Sequence, residues 1–187
     1  MILGKKCYLT GVQRESIEQL RTWRNNPELR KYFRTHREIT KVMQDDWYEN
    51  RVHNNPNQYD FEIHDSDTKK LIGHTGLYYI DWQARKAEFA IYVGDMSMRG
   101  KGIGSDALRT LIKYGFEELN LNKIWCEVYS NNKAIDIYRK IGFIDEGVLR
   151  QNVFKNGKYL DGYVMSLLRE EWIENNKQTS NIWILRF

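Results

Sequence analysis

The sequence predicts an α+β fold: an α/β/α layered mixed sheet, antiparallel early, with helices on both faces. Three observations carry that expectation. Strand-like runs at 58–64, 71–80 and 84–93 follow one another with no helix between them, which suits antiparallel neighbours. A strand-like run, Ala87 to Val93, enters a glycine-rich turn, and a helix-like run, Ser105 to Leu119, leaves it. Near the end, Lys155-Asn156-Gly157 joins two more strand-like runs, and Asn-Gly is a strong hairpin signal. The expected order is β-αα-βββ-α-β-α-ββ.

The elements follow in turn. Cys7 to Val12 reads as a short strand, and Ser16 to Trp23 as a helix with Ile17, Leu20 and Trp23 at helical spacing. Asn25-Asn26-Pro27 interrupts it before a short turn to Tyr32. Thr40 is placed to cap a helix reaching about Asn54, with Val42, Met43, Trp47 and Val52 inward. Asp65-Ser66-Asp67-Thr68 is a turn by composition, and Gly73 and Gly76 suggest a bulge in the strand beyond it. Ala107, Leu108, Leu111, Ile112, Phe116 and Leu119 form one face of the long helix. Lys123 to Tyr129 is a strand, and Asn132 to Ile141 a helix ended by Gly142. Phe143 to Phe154 and Lys158 to Leu168 are the last strands, and Arg169 to Asn176 a terminal helix.

Composition excludes several classes. With 187 residues, 41% apolar, 29% charged and 2 prolines, the chain is a folded domain with room for a core. A net charge of +4, with acids scattered along nearly every segment, does not argue for nucleic acid and suits an anionic cofactor. Cys7 and Cys126 sit in strand-like runs and read as buried free thiols of a reducing cytosol. No apolar run approaches the roughly 18 residues of a membrane span. Met1 to Lys6 has no signal-peptide core. A cytoplasmic location without a membrane partner is expected. His36, His53, His64 and His74 show no metal-ligand spacing, so no metal is expected.

The turn Arg99-Gly100-Lys101-Gly102-Ile103-Gly104 carries the chemistry. Glycines at alternate positions let backbone N–H groups approach a ligand, and the helix N-terminus behind them favours anions. Gly102-x-Gly104-x-x-Ala107 formally fits a dinucleotide fingerprint. That motif belongs after a first strand, with an acid about 20 residues on, and neither holds. A P-loop needs Ser or Thr after its lysine, and Gly102 follows Lys101. The turn does fit R/Q-x-x-G-x-G/A, the pyrophosphate loop of the Gcn5-related N-acetyltransferases (GNAT), at every defined position. Asn131-x-x-Ala134-Ile135-x-Ile137-Tyr138-x-x-x-Gly142-Phe143 resembles a second hallmark of that superfamily. The stretch from Phe143 to Trp172 resembles its RimJ/RimL-like branch.

That resemblance covers about residues 5–172 and implies a GNAT-like fold. It also implies a single acetyltransferase domain over 1–172 with an extension at 173–187. The activity implied is transfer of the acetyl group of acetyl-CoA, the co-substrate, directly to a primary amine of a small molecule or a protein N-terminus. An amino-sugar-nucleotide or polyamine N-acetyltransferase and a non-catalytic acetyl-CoA-binding module are the alternatives. In the family the diphosphate lies on the glycine loop and the pantetheine arm pairs with the preceding strand, whose backbone near Ile91, Tyr92 and Val93 would hold the thioester carbonyl. Tyr138 occupies the general-acid position, Asn131 would cap the helix and bond the pantetheine arm, and Glu88, eleven residues before Arg99, is the candidate base.

The acceptor would enter beside Trp23-Arg24-Asn25, the basic aromatic run Arg30 to Arg37 with Tyr32 and Phe33, and Arg150 to Asp161. Basic plus aromatic character suits an anionic acceptor. A polyamine would prefer carboxylates, for which Asp45, Asp46 and Glu49 are candidates. The apolar tail Asn181 to Phe187 is expected to dock as a strand or to cross to a partner subunit, as in a homodimer.

Overall fold

Alternating apolar residues build one eight-stranded sheet in the order β1-β2-β3-β4-β5-β6-β8-β7. A computed structural model describes residues 1–35 and 37–184, with side chains through 177. The strands are β1 (Ile2–Leu3), β2 (Cys7–Gly11), β3 (Tyr59–Asp65), β4 (Leu71–Asp81), β5 (Lys86–Val93), β6 (Lys123–Tyr129), β7 (Ile144–Lys155) and β8 (Lys158–Leu168). The helices are α1 (Ile17–Asn25), α2 (Pro27–Arg30), α3 (Lys41–Trp47), α4 (Ile103–Glu117), α5 (Ala134–Ile141) and α6 (Arg169–Ile184). The expected order is present, with a short β1 added at one edge, the helix α2 where a short turn was expected, and the expected terminal helix as α6.

α4 lies on one sheet face with Ala107, Leu108, Leu111, Ile112 and Phe116 buried against Leu9, Ile63, Leu77, Phe89 and Ile124. Gly115 lets the helix sit close, since a Cβ there would meet Ile124 Cδ1 at 2.8 Å. Asp106 ties its first turn to β2, accepting from the backbone N–H groups of Lys6 at 2.7 Å and Cys7 at 3.2 Å. α5 ends at Gly142, whose φ of +118° favours glycine. The opposite face carries α1–α3 over a second core of Val12, Ile17, Leu20 and Tyr48, with Trp23 and Trp47 packed against it.

Three details correct the sequence reading. Val42 is exposed, while Trp47 and Val52 pack inward as expected and are joined by the buried Gln44 and Tyr48. α3 caps on Thr40 as expected, with Val42 in its first turn, and passes after Trp47 into a π-turn at Tyr48–His53. Gly76 marks no bulge. It gives way to the Tyr78 ring, whose hydroxyl lies 2.8 Å from where its Cβ would be. The β4 irregularities fall opposite Ile63 and His64 and between Tyr78 and Asp81. From Thr179 to Ile184 the backbone continues α6 instead of starting a strand, and the rest of the predicted docking segment lies outside the described residues.

β5 and β6 form the parallel pair of the sheet, joined by the α4 crossover. Their register runs from Lys86 opposite Lys123 to Glu88 opposite Trp125 and then stops. From Phe89 and from Cys126 onward the two strands diverge into a wedge.

Candidate active site

Two connected chambers open from the wedge. The larger, about 660 Å³, lies among Ile91, Val93, Arg99, Gly102, Gly104 and Ile137. The smaller, about 270 Å³, lies among Arg34, Trp47, His74, Glu88, Cys126 and Glu127. Tyr32, Phe33, Ile91, Tyr92, Asn132 and Tyr138 line both and mark the passage between them.

The glycine loop forms the far end of the larger chamber. Gly100 and Gly102 have φ of +75° and +81°, left-handed conformations that glycine adopts at no steric cost. A Cβ on Gly100 would meet nothing within 4 Å, so conformation, not space, selects glycine there. The Arg99 guanidinium donates to the Val93 carbonyl at 3.1 and 3.2 Å, tying the loop to the end of β5. Behind the loop stands the N-terminus of the 15-residue α4. Free N–H groups and a helix dipole meeting at one point suit a diphosphate. The β5 edge beyond Glu88 has no pairing to β6, which leaves backbone groups for an extended arm. The residues present therefore fit coenzyme A. Lys101 is absent from this lining and lies 3.5 Å from Met98 Sδ.

Tyr138 projects from α5 into the passage, packed edge-on to Phe89 with ring centroids 5.2 Å apart. Burial, with Cys126 beside it, pushes its phenol well above the ordinary range. It therefore holds its proton at neutral pH and can give it to a leaving thiolate. The residue that caps α5 is Asn132, not Asn131: its side chain accepts from the Ala134 N–H at 3.0 Å. Asn132 also lines both chambers, whereas Asn131 is exposed beside a separate small pocket with Asp136 and Arg139.

Glu88 lies in the smaller chamber and is 6% exposed. Its partner is Arg34, whose guanidinium reaches the two carboxylate oxygens at 2.5 and 3.2 Å. Arg34 also lies 3.4 Å from Glu127 of β6. Burial pulls Arg34 down, and the bonds to Glu88 with the charge of Glu127 outweigh it, so its pKa is raised. A bulge in β7 between Leu149 and Val153 aims Asn152, which donates to Glu127 at 2.7 Å. Lys155, 8% exposed, donates to the carbonyls of Lys31 and Phe33 and pins the Arg34 loop.

Of the expected acceptor residues, Arg24, Tyr32 and Phe33 line the smaller chamber, with Arg24 over the Phe33 ring at 5.3 Å. Trp23 does not line either chamber. It packs so closely that a Cβ on Gly94 would meet it at 2.0 Å. Asp45 and Glu49 pair with Arg14 at 3.1 Å each, and Asp46 accepts from Asn50, away from the chambers. The carboxylate that sequence reasoning missed is Glu127. Its signal was a lone acid inside the apolar strand run 124–129.

Residues 7–144 match the acetyltransferase (GNAT) domain family. The chain belongs to the GNAT acetyltransferases. Like other GNAT enzymes it is an acetyl-CoA-dependent N-acetyltransferase. It is similar to the spermidine N(1)-acetyltransferase of Vibrio cholerae serotype O1, 28% identical over 94% of this chain and 100% of that protein. It is 39% identical to the putative ribosomal N-acetyltransferase YdaF of Bacillus subtilis (strain 168), over 54% of this chain and 56% of the relative. A crystal structure of the Vibrio cholerae spermidine N-acetyltransferase in complex with CoA and spermine superposes with a TM-score of 0.84 at 28% identity, covering 90% of this chain and 98% of that one. No helix among the described residues is long and apolar enough to cross a membrane.

Proposed function

We propose that this GNAT enzyme acetylates a small aliphatic polyamine, held with its reacting nitrogen at the passage between the chambers. The observation that carries this reading is the pair of nearly buried carboxylates, Glu88 and Glu127, facing the smaller chamber from the two sides of the wedge. A desolvated carboxylate pair demands cationic company, and the exposed half of Arg34 leaves room for a second cation beside it. Aromatic walls from Trp47, Tyr78, Tyr92 and Tyr129 add cation–π attraction. The opposite reading, an anionic acceptor, rested on the basic loop. Lys31 there is bonded to Glu28 at 2.7 Å and Arg34 to Glu88. The likeness to spermidine acetyltransferases supports the same class.

In this mechanism acetyl-CoA supplies an activated acyl group. Gly100, Gly102 and Gly104 seat its diphosphate, while Ile91 to Val93 present backbone N–H groups to the thioester oxygen. Tyr138 protonates the departing thiolate. Glu88, which sequence reasoning offered as base, is held in two bonds to Arg34 and is better suited to fixing the acceptor's charge. The RimJ/RimL-like branch is proposed within the family on the Phe143 to Trp172 segment and the likeness to YdaF.

Free-thiol release with a panel of amines tests the reading. Spermidine and spermine are expected to turn over at least tenfold faster, about 1.4 kcal/mol in kcat/KM, than an N-terminal peptide or an amino-sugar nucleotide. Preference for either of the latter overturns the acceptor class. Tight acetyl-CoA binding without turnover of any amine leaves a binding module.

A further inference from the structure

Among the buried titratable groups of the smaller chamber, His74 is one that the mechanism above leaves idle. It belongs to β4 and faces the chamber, with its side chain 8% exposed. Its Nε2 is fully buried and makes no hydrogen bond. That atom nevertheless lies 3.0 Å from Asp60 Oδ1, out of line for a bond. Asp60 is fixed in turn: the Tyr78 hydroxyl donates to Oδ1 at 2.8 Å and Gln58 Nε2 donates to Oδ2 at 2.7 Å. The imidazole is wedged edge-on to Trp47, with centroids 5.8 Å apart, and tilted against Tyr92 at 5.6 Å. Tyr92 is its register partner on β5 and lines the passage to Tyr138.

A buried polar nitrogen without a partner is costly, and such sites persist where a ligand or proton completes them. We propose that His74, oriented by Asp60, is the base that deprotonates the acceptor amine. It rests on the acceptor chamber assigned above, not on which amine fills it. The comparison with Glu88 decides the role. Glu88 spends its two oxygens on Arg34, whereas the Nε2 edge of His74 is set against Asp60, which leaves Nδ1 as the nitrogen that takes the proton. Misaligned catalytic bonds are common before substrate binds, and a small ring rotation would bring Asp60 into line.

The protons balance. His74 takes one proton from the acceptor ammonium, directly or through one water. The freed amine forms the N–C bond to the thioester carbonyl carbon as the C–S bond breaks. Tyr138 gives its proton to the thiolate and regains one from the new amide nitrogen. His74 releases its proton to solvent, the single proton lost overall. The charged and titratable groups around the ring are Asp60 and Glu62 of β3, Tyr78 of β4, Glu88 and Tyr92 of β5, Arg24 of α1 and Arg34 of the following loop. Glu62 is already engaged by His64 Nε2 and the Gln13 N–H, each at 2.8 Å.

The test is the pH profile of kcat/KM for whichever amine the wild-type enzyme uses best, beside an NMR titration of the His74 ring in the acceptor-free protein. The base must be neutral to act, so activity falls as pH falls and the ring gains its proton. In His74→Gln, kcat/KM should drop by about 10²-fold or more, the acidic limb should vanish, and acetyl-CoA affinity should stay. In Asp60→Asn, loss of the carboxylate set against Nε2 should lower kcat/KM by about tenfold while the acidic limb stays, as a positioning partner requires. Added imidazole should restore part of the activity of His74→Gly. A His74→Gln enzyme that keeps its acidic limb overturns the proposal. So does a His74 ring that never titrates over the range of the limb, or an Asp60→Asn enzyme as active as the wild type. The ring titration decides even where no amine on the panel is turned over, a result that counts against the acceptor class alone.

Discussion

At the scale of single residues, Tyr138 shows how packing keeps a phenol protonated. Surrounded by Phe89, Phe143 and the Cys126 thiol, its phenol has no charge nearby to stabilise an oxyanion. Tyr138→Phe removes the proton and little else. It should lower kcat by about 10²-fold while KM for acetyl-CoA barely changes, and an unaltered kcat would assign the proton elsewhere. Two glycines make a contrasting pair. Gly102→Ala forces a Cβ into the left-handed region at a cost of about 1–2 kcal/mol, with only the flexible Lys6 Nζ near it, at 3.3 Å. It should raise KM for acetyl-CoA with a small fall in melting temperature. Gly94→Ala meets the Trp23 ring instead. It should cost about 1–3 kcal/mol of overpacking, read by urea melting. The glycine loop was readable in the sequence because conformational need writes itself into consecutive residues. Glu127, His74 and the Arg34 partner of Glu88 were not readable. Each owes its role to neighbours 14 to 93 positions away, brought together by strand register.

At the scale of elements, the segment after α1 behaves as a strap over the acceptor chamber. Asn25 clasps its far end in both directions, donating to the Ile39 carbonyl at 2.9 Å and accepting from the Ile39 N–H at 2.8 Å. Lys155 holds its middle from β7. Burial lowers the Lys155 pKa. Asn25→Ala should therefore cost about 1–3 kcal/mol and raise KM for the amine more than for acetyl-CoA. Equal effects on the two constants would show the strap serving stability alone. Most strands and helices were legible from periodicity to within a few residues, but β1 was missed and α6 runs to Ile184, well past the expected end at Asn176. The π-turn after α3 was not legible either, since nothing in the spacing of Val42, Met43 and Trp47 announces a change of pitch.

At the scale of the whole molecule, acid stability follows from carboxyls tied down far apart. Lys123 and then Ser166 hold Glu146 below its ordinary value, Thr68 does the same for Asp65, and Ser97 for Asp95. The unfolded chain binds these protons more readily. Their contribution is whole above about pH 5, where unfolded carboxyls are ionised, and is lost as pH falls through the lowered folded values. Urea midpoints should fall steadily from about pH 5 to pH 3, and a flat profile would refute the account. The tail belongs to this scale too. Truncation after Asn176 is expected to lower the melting temperature or the oligomeric state.

The wedge itself has a cost that the enzyme cannot engineer away. Two half-sheets share three residue pairs, Lys86 with Lys123, Ala87 with Ile124 and Glu88 with Trp125, and then part company. Main-chain amides along the inner margins are left to water until a guest arrives, so every ångström of further zippering would strengthen the scaffold and evict the coenzyme. Selection for thermal hardiness in this chain should therefore accumulate changes at the outer margins, β1 and β7, and leave the seam alone.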